Sequence, residues 1–126
     1  MKRFALALGL VAWMALASAE TWRFALIGDT PYSDYERAEV PKMLEAIADR
    51  HVDFLAHIGD FKKGQNRCDD DRFEDRLQLF NASRVPFVYV PGDNEWTDCA
   101  RQSCGAYDPV ERLQTLRSLF WKDGFS

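Results

Sequence analysis

The spacing of apolar and polar positions predicts three strands and three helices in alternation. Trp22 to Gly28, Phe54 to Ile58 and Pro86 to Val90 ("PFVYV") are continuous apolar runs closed by turn residues. Runs of this kind suit strands of a parallel sheet covered on both faces. Between them the apolar spacing becomes helical. Val40, Met43, Leu44, Ile47 and Ala48 fall at i, i+3, i+4, i+7 and i+8. Ser33 and Glu36 have capping-box spacing for an early helix start, whereas Pro41 implies a kink or a start near itself. Phe73, Leu77 and Phe80 share a second helical face, with Asp69 to Asp71 at the N-terminal end, where negative charge is favourable. For the third helix Asp108 is the cap, Pro109 takes the first helical position and Glu111 stands three after the cap. Val110, Leu113, Leu116 and Phe120 line its face, and Gly124 is a stop signal.

The order is therefore β-α-β-α-β-α. Gly28 to Gly59 is 31 residues and Gly59 to Gly92 is 33, each the length of a βαβ unit. The fold expected is α/β: three β-α units joined by right-handed crossovers into one parallel sheet. Three strands fall short of the usual ~5–6, and both sheet edges would stay unpaired. With the odd cysteine count below, this makes residues 20–126 read as a domain incomplete at its C-terminus.

The first residues follow another pattern. Lys2 and Arg3 precede an apolar run from Phe4 to Ala17, and Ala17-Ser18-Ala19 is a small-x-small cleavage site. That is the pattern of a secretory signal peptide, and the run is shorter than the ~20 residues that span a bilayer. The expectation is removal of residues 1–19, export to the bacterial periplasm or beyond, and no membrane attachment after cleavage. Loss of Lys2 and Arg3 takes the formal charge from −4 to −6. A mildly acidic chain with no basic stripe argues against a nucleic-acid partner.

An exported chain can carry disulfides. Cys68, Cys99 and Cys104 are odd in number, so they allow one pair with a free thiol, or a partner beyond Ser126. No CxxC spacing points to a thiolate metal site.

Candidate chemistry lies where the strands end. All three apolar runs close on the same dipeptide: Gly28-Asp29, Gly59-Asp60 and Gly92-Asp93. Parallel strands put their carboxyl ends along one edge, where open α/β sheets bind ligands. Three carboxylates gathered there repel one another unless a cation offsets them, and carboxylate oxygens suit hard divalent ions. Gly and Asp are also ordinary turn residues; the repetition at matching positions is what favours a shared site.

"IGDT", "HIGDF" and "PGDNEW" resemble the first three motifs of the calcineurin-like metallophosphoesterases. The resemblance spans Trp22 to about Phe120 and corresponds to the first half of that family's domain. It implies an α/β sandwich, one or two divalent metal ions (Mn, Fe, Zn or Mg) and hydrolysis of a small phosphate ester by metal-activated water. By position it makes Asp29 a metal ligand, Asp60 the bridging carboxylate and Asp93 a ligand where the family has Asn. Asn94 stands where the family has a His at the leaving group, so it is the candidate catalytic residue, able to donate a hydrogen bond but not a proton. Glu95 matches the closing acidic position, in a supporting role. Pro31 stands where the first motif has a His, and the later His-bearing motifs have no counterpart before Ser126.

The remaining polar residues fill smaller roles. His57, two residues before Gly59, is a packed strand histidine within reach of the site, and His51 a charge at a helix end. Lys62 and Lys63 follow Asp60 and have a place to meet a phosphate, but a solvated loop is the favoured reading; Trp96 is read as packing in preference to stacking on a substrate, and Tyr32 as a cleft residue without an assigned role. Cys68 and Cys99 both follow strand-end loops, so a bridge between them, the candidate disulfide, would tie two of those loops together; Cys99–Cys104 and Cys68–Cys104 remain open. Two further readings compete with the hydrolase: a truncated or degenerate relative that binds metal or anion without turnover, and a small exported interaction domain whose Gly-Asp turns carry no chemistry.

Overall fold

The structure, a computed structural model, describes residues 20–121; the signal-peptide residues and Gly124 lie outside them. Strands β1 (Phe24–Ile27), β2 (Phe54–His57) and β3 (Phe87–Tyr89) alternate with helices α1 (Asp34–Ala48), α2 (Asp70–Phe80) and α3 (Pro109–Phe120). The sheet is wholly parallel in the order β1-β2-β3, with Leu26 level with Ala56 and Ala56 level with Val88. Among the described residues both outer edges are open, as the sequence predicts. No helix among the described residues is long and apolar enough to cross a membrane.

Caps decide where the helices begin. Ser33 Oγ accepts the Glu36 N–H at 3.2 Å, so α1 starts early and carries Pro41 inside it. Asp108 accepts the Glu111 N–H at 2.9 Å with Pro109 in the first turn, as expected of α3. Two helical faces differ from the apolar spacing. Leu79 rather than Leu77 is buried in α2, and Val110 of α3 faces outward. In both helices an arginine takes an inward place: Arg76 stands three residues after Phe73 in α2, and Arg112 four before Leu116 in α3.

One core lies against one face of the sheet. Leu55 and Tyr89, with the partly buried Ala25, Ile27 and Phe87, meet Val40 and Leu44 of α1, Phe73 and Phe80 of α2, and Leu116 of α3. The other face is bare among the described residues: Phe24 is 54 % exposed, Leu26 59 % and Val88 47 %. This corrects the expectation of strands covered on both faces. The strand order supplies the reason: like-handed crossovers that advance in one direction place their helices on the same side of a parallel sheet.

Between β3 and α3 the chain makes three 3₁₀ turns, Asp93–Glu95, Thr97–Ala100 and Gln102–Cys104, which the apolar pattern did not foreshadow. A Cys68–Cys99 disulfide fastens this region to the loop before α2. Cys104 is free and buried, its thiol donating to Gly64 O at 3.0 Å. Of the three pairings open to the sequence, the fold therefore takes the one that joins the loops after β2 and β3.

Candidate metal centre

Asp29 and Asp60 each follow a strand end closely, and both have left-handed backbone, with φ of 55° and 61°. Asp is among the few non-glycine residues that tolerate this region. The turn thus falls on the aspartates themselves as well as on Gly59 (φ 97°). The Asp29 N–H donates to Gly59 O at 3.1 Å, joining the first two strand ends. The third is packed into the second. A Cβ on Gly59 would meet Gly92 N at 2.3 Å, and one on Gly92 would meet Asp60 Oδ1 at 2.0 Å. Glycine at both positions allows the β2 and β3 ends to touch.

Glu95 knits these ends together. Its fully buried carboxylate accepts backbone N–H groups from Asp60 at 3.0 Å, Phe61 at 2.5 Å and Gly92 at 2.8 Å. Burial pushes its carboxyl up to about 7, with Asp60 adding to the rise while the three N–H donors pull the other way. Tyr89 lies beneath, its buried hydroxyl beside the Glu95 carboxylate without completing a hydrogen bond. Glu95 is therefore a scaffold for the Asp60 and Gly92 turns, in keeping with a supporting place.

Asp60 holds the middle of the arrangement. Burial raises its carboxyl above the ordinary range, and the charges of Asp93, Asp29 and Asp98 raise it further, against a hydrogen bond from Asn94 N at 3.3 Å. Three neighbouring carboxylates thus act on one, as expected where negative charges gather without an offsetting cation. Asp29 accepts the Tyr32 hydroxyl at 2.8 Å. Asp93 opens the first 3₁₀ turn and is exposed.

The donor chemistry suits a hard divalent cation, since carboxylate oxygens follow three neighbouring strand ends. The geometry is open rather than a finished cage. Among the described residues, no group of three His, Cys, Asp or Glu side chains stands close enough to hold a metal ion as arranged. Asp29 Oδ1 accepts from Tyr32 and Asp60 Oδ1 from Asn94 N, while neither Oδ2 meets a hydrogen-bond donor among the described residues.

Other expected residues are placed differently. His57 is buried in β2 with both ring nitrogens occupied: Nδ1 accepts the Gly59 N–H at 3.1 Å and Nε2 donates to Thr30 O at 2.8 Å. It braces the β1 and β2 ends as a neutral ring, its pKa lowered by burial. Asn94 turns its amide into the protein, donating to Lys62 O at 3.0 Å. In this arrangement its backbone N–H meets Asp60 and one of its two amide hydrogens fastens the following loop. Lys62 is fully buried, with Nζ donating to Lys63 O and Asn66 O, whereas Lys63 is exposed. The solvated-loop expectation therefore holds for Lys63 and fails for Lys62: its ammonium caps loop carbonyls, and its stem packs where a surface lysine would extend.

Two residues that hold the site's loops were not anticipated from the sequence. Arg76 Nε donates to Phe61 O at 3.0 Å, and Arg112 Nη1 donates to Cys68 O at 2.9 Å. Arg112 also lies over the Tyr107 ring at 4.5 Å. Each stands at a helical position that apolar spacing assigns to the core, and that was the available signal. A cavity of about 420 Å³ lies elsewhere, along the β3 edge between Phe80, Phe87, Phe120 and Trp121. None of the three aspartates lines it.

Compared with protein-family models, with curated proteins and with solved structures, the chain gives no match in any of the three.

Proposed function

We propose that the mature chain is an exported metallophosphoesterase-like domain that binds one or two divalent cations through Asp29, Asp60 and Asp93 and acts on a small phosphate ester. One observation carries the reading. Three parallel strands end in the same dipeptide, and their ends are packed so closely that Gly92 has no room for a Cβ beside Asp60. Export rests on residues 1–19. The motif resemblance supplies the reaction class.

A bound divalent ion would supply Lewis-acid polarisation of a phosphoryl oxygen and an activated water. The chain's own residues have defined tasks. Asp60, between its neighbours, offers the most shared carboxylate. Asp29 and Asp93 flank it. Glu95 and His57 hold the turns from behind without touching a ligand. Lys63, exposed in the loop that follows Asp60, would be a candidate cation for an incoming phosphate.

A second reading has its own support. The His57 nitrogens are both engaged, Asn94 is tied to Lys62 O and Pro31 stands at a motif histidine, so none of these three positions supplies a proton donor to a leaving group. This favours a relative that binds cation or anion without turnover. Purified residues 20–126 assayed with a generic phosphate ester and Mn²⁺ separate the two. Hydrolysis that is lost in Asp60→Asn supports the enzyme. Metal binding without hydrolysis supports the second reading. Full activity in Asp60→Asn excludes this site as the catalytic one.

A further inference from the structure

The segment between β1 and α1 is held more firmly than a connecting turn requires. Thr30 O accepts from His57 Nε2 at 2.8 Å, which pins the segment to β2. The Tyr32 backbone N–H donates to the Glu36 carboxylate, which pins it to the first turn of α1. Glu36 is itself fixed there by the Ser33 cap. From that anchored position the Tyr32 hydroxyl reaches back three residues to Asp29 Oδ1 at 2.8 Å. This is the one side-chain hydrogen bond to the Asp29 carboxylate among the described residues.

We propose that Tyr32 is a positioning residue of the site, holding one oxygen of Asp29 so that the other is presented as a single fixed ligand; the proposal rests on the divalent-cation reading above. An exposed aspartate on a left-handed turn rotates freely about its side-chain bonds unless something stops it. A hydroxyl donor on one oxygen removes that freedom and leaves a lone pair set for a cation on the other. Partners of this kind set ligand orientation, and their loss typically weakens metal affinity by about 10–100-fold. Glu36 acts one step further back, by fixing the backbone from which Tyr32 extends.

Mn²⁺ titration by calorimetry tests the role, using residues 20–126 as wild type, Tyr32→Phe, Asp29→Ala and the double variant. Tyr32→Phe keeps the ring and should weaken Mn²⁺ binding by about tenfold or more, with the thermal midpoint of the metal-free protein unchanged. In the Asp29→Ala background, which has no acceptor for the hydroxyl, the same change should have almost no further effect. A merely structural tyrosine would instead act equally in both backgrounds. Wild-type affinity in Tyr32→Phe, or an undiminished effect in the Asp29→Ala background, would overturn the role while leaving the cation site standing. A wild type that binds no Mn²⁺ would remove the cation reading and this role with it. If Tyr32→Phe does not fold, Glu36→Ala, which removes the acceptor of the Tyr32 N–H, serves: weakened binding supports the anchor, and unchanged affinity overturns it. A visible charge-transfer band on adding Fe³⁺ to the wild type would also overturn positioning, by showing that the phenol oxygen is itself the ligand.

Discussion

At the scale of single residues, the glycines before Asp60 and Asp93 differ in purpose from ordinary turn glycines. Gly92 is needed because Asp60 Oδ1 fills the space of its Cβ, at 2.0 Å. Gly92→Ala should therefore displace the Asp60 carboxylate or the whole β3 end. The expected cost is about 1–3 kcal/mol of overpacking, read as a lower urea midpoint, together with loss of Mn²⁺ binding. Gly28 is a useful contrast, since its Cβ would meet the movable Ile58 side chain at 2.7 Å. Gly28→Ala should be the milder change, and equal damage from both would contradict this picture of the packing.

His57 makes a pH-dependent contribution whose sign follows from its burial. Desolvation lowers its pKa below 6.5 in the folded chain, against smaller opposing effects of Thr30 O and the Asp29 charge. Below pH 6.5 the unfolded chain takes up a proton that the folded chain resists. The contribution of neutral His57 is thus fully present above that pH and falls away as pH drops, by at most about 1.4 kcal/mol per pH unit. Glu95, with its carboxyl raised to about 7, acts in the opposite direction. The comparison must therefore be between wild type and His57→Gln. From pH 7.5 to 5.5 the wild type should lose more stability than the variant, measured by urea unfolding at each pH. Equal losses would mean that His57 is not held neutral.

At the scale of elements, strand and helix positions were legible because each is set by a local pattern: continuous apolar runs, a 3.6 period, and the caps Ser33 and Asp108. The three Gly-Asp ends could be placed on one edge because parallel strands leave no other choice. The stretch after β3 was not legible. Asp93 to Cys104 has no apolar period, and its 3₁₀ turns are held by contacts from distant segments: Asn94 to Lys62 O, Arg101 to Gly64 O, and the Cys68–Cys99 bridge. Lys62 was misjudged and Arg112 not anticipated for the same reason, since burial of a long cation depends on carbonyls that only the folded loop brings together. The bridge closes a loop of 31 residues, and loops of that size are worth about 3–4 kcal/mol in chain entropy. Reduction, or Cys68→Ser with Cys99→Ser, should lower the unfolding free energy by about that much. Metal affinity should fall with it, because the bridge joins the loops carrying Asp60 and Asp93. Calorimetry with and without a dithiol reads both effects, and unchanged Mn²⁺ affinity in a folded reduced chain would show that the hydrogen bonds alone hold the site.

At the scale of the whole molecule, the strands read as two-sided, yet the described residues cover only one side. The sequence signal was physically sound, since both faces of β1 and β3 are apolar. The helices of the described residues cover one face only, as the order β1-β2-β3 requires. The bare face gathers Phe24, Leu26, Ile58, Val88 and Val90, and contiguous apolar surface of that kind binds probes or other surfaces. The mature chain should bind a hydrophobic fluorescent dye while fully folded. Leu26→Lys with Val88→Lys should abolish most of that signal without lowering the urea midpoint. Retained dye binding in the double variant would place the apolar surface elsewhere, with the β3-edge cavity the first alternative.

The proposed cation site depends on Asp60 as its shared carboxylate. Mn²⁺ titration of residues 20–126 beside the Asp60→Asn variant, both checked for folding, is the decisive measurement. Saturable binding by the wild type and its loss in the variant, with the metal-free fold intact, is the expected result. Equal binding by the two, or none by a well-folded wild type, would contradict it.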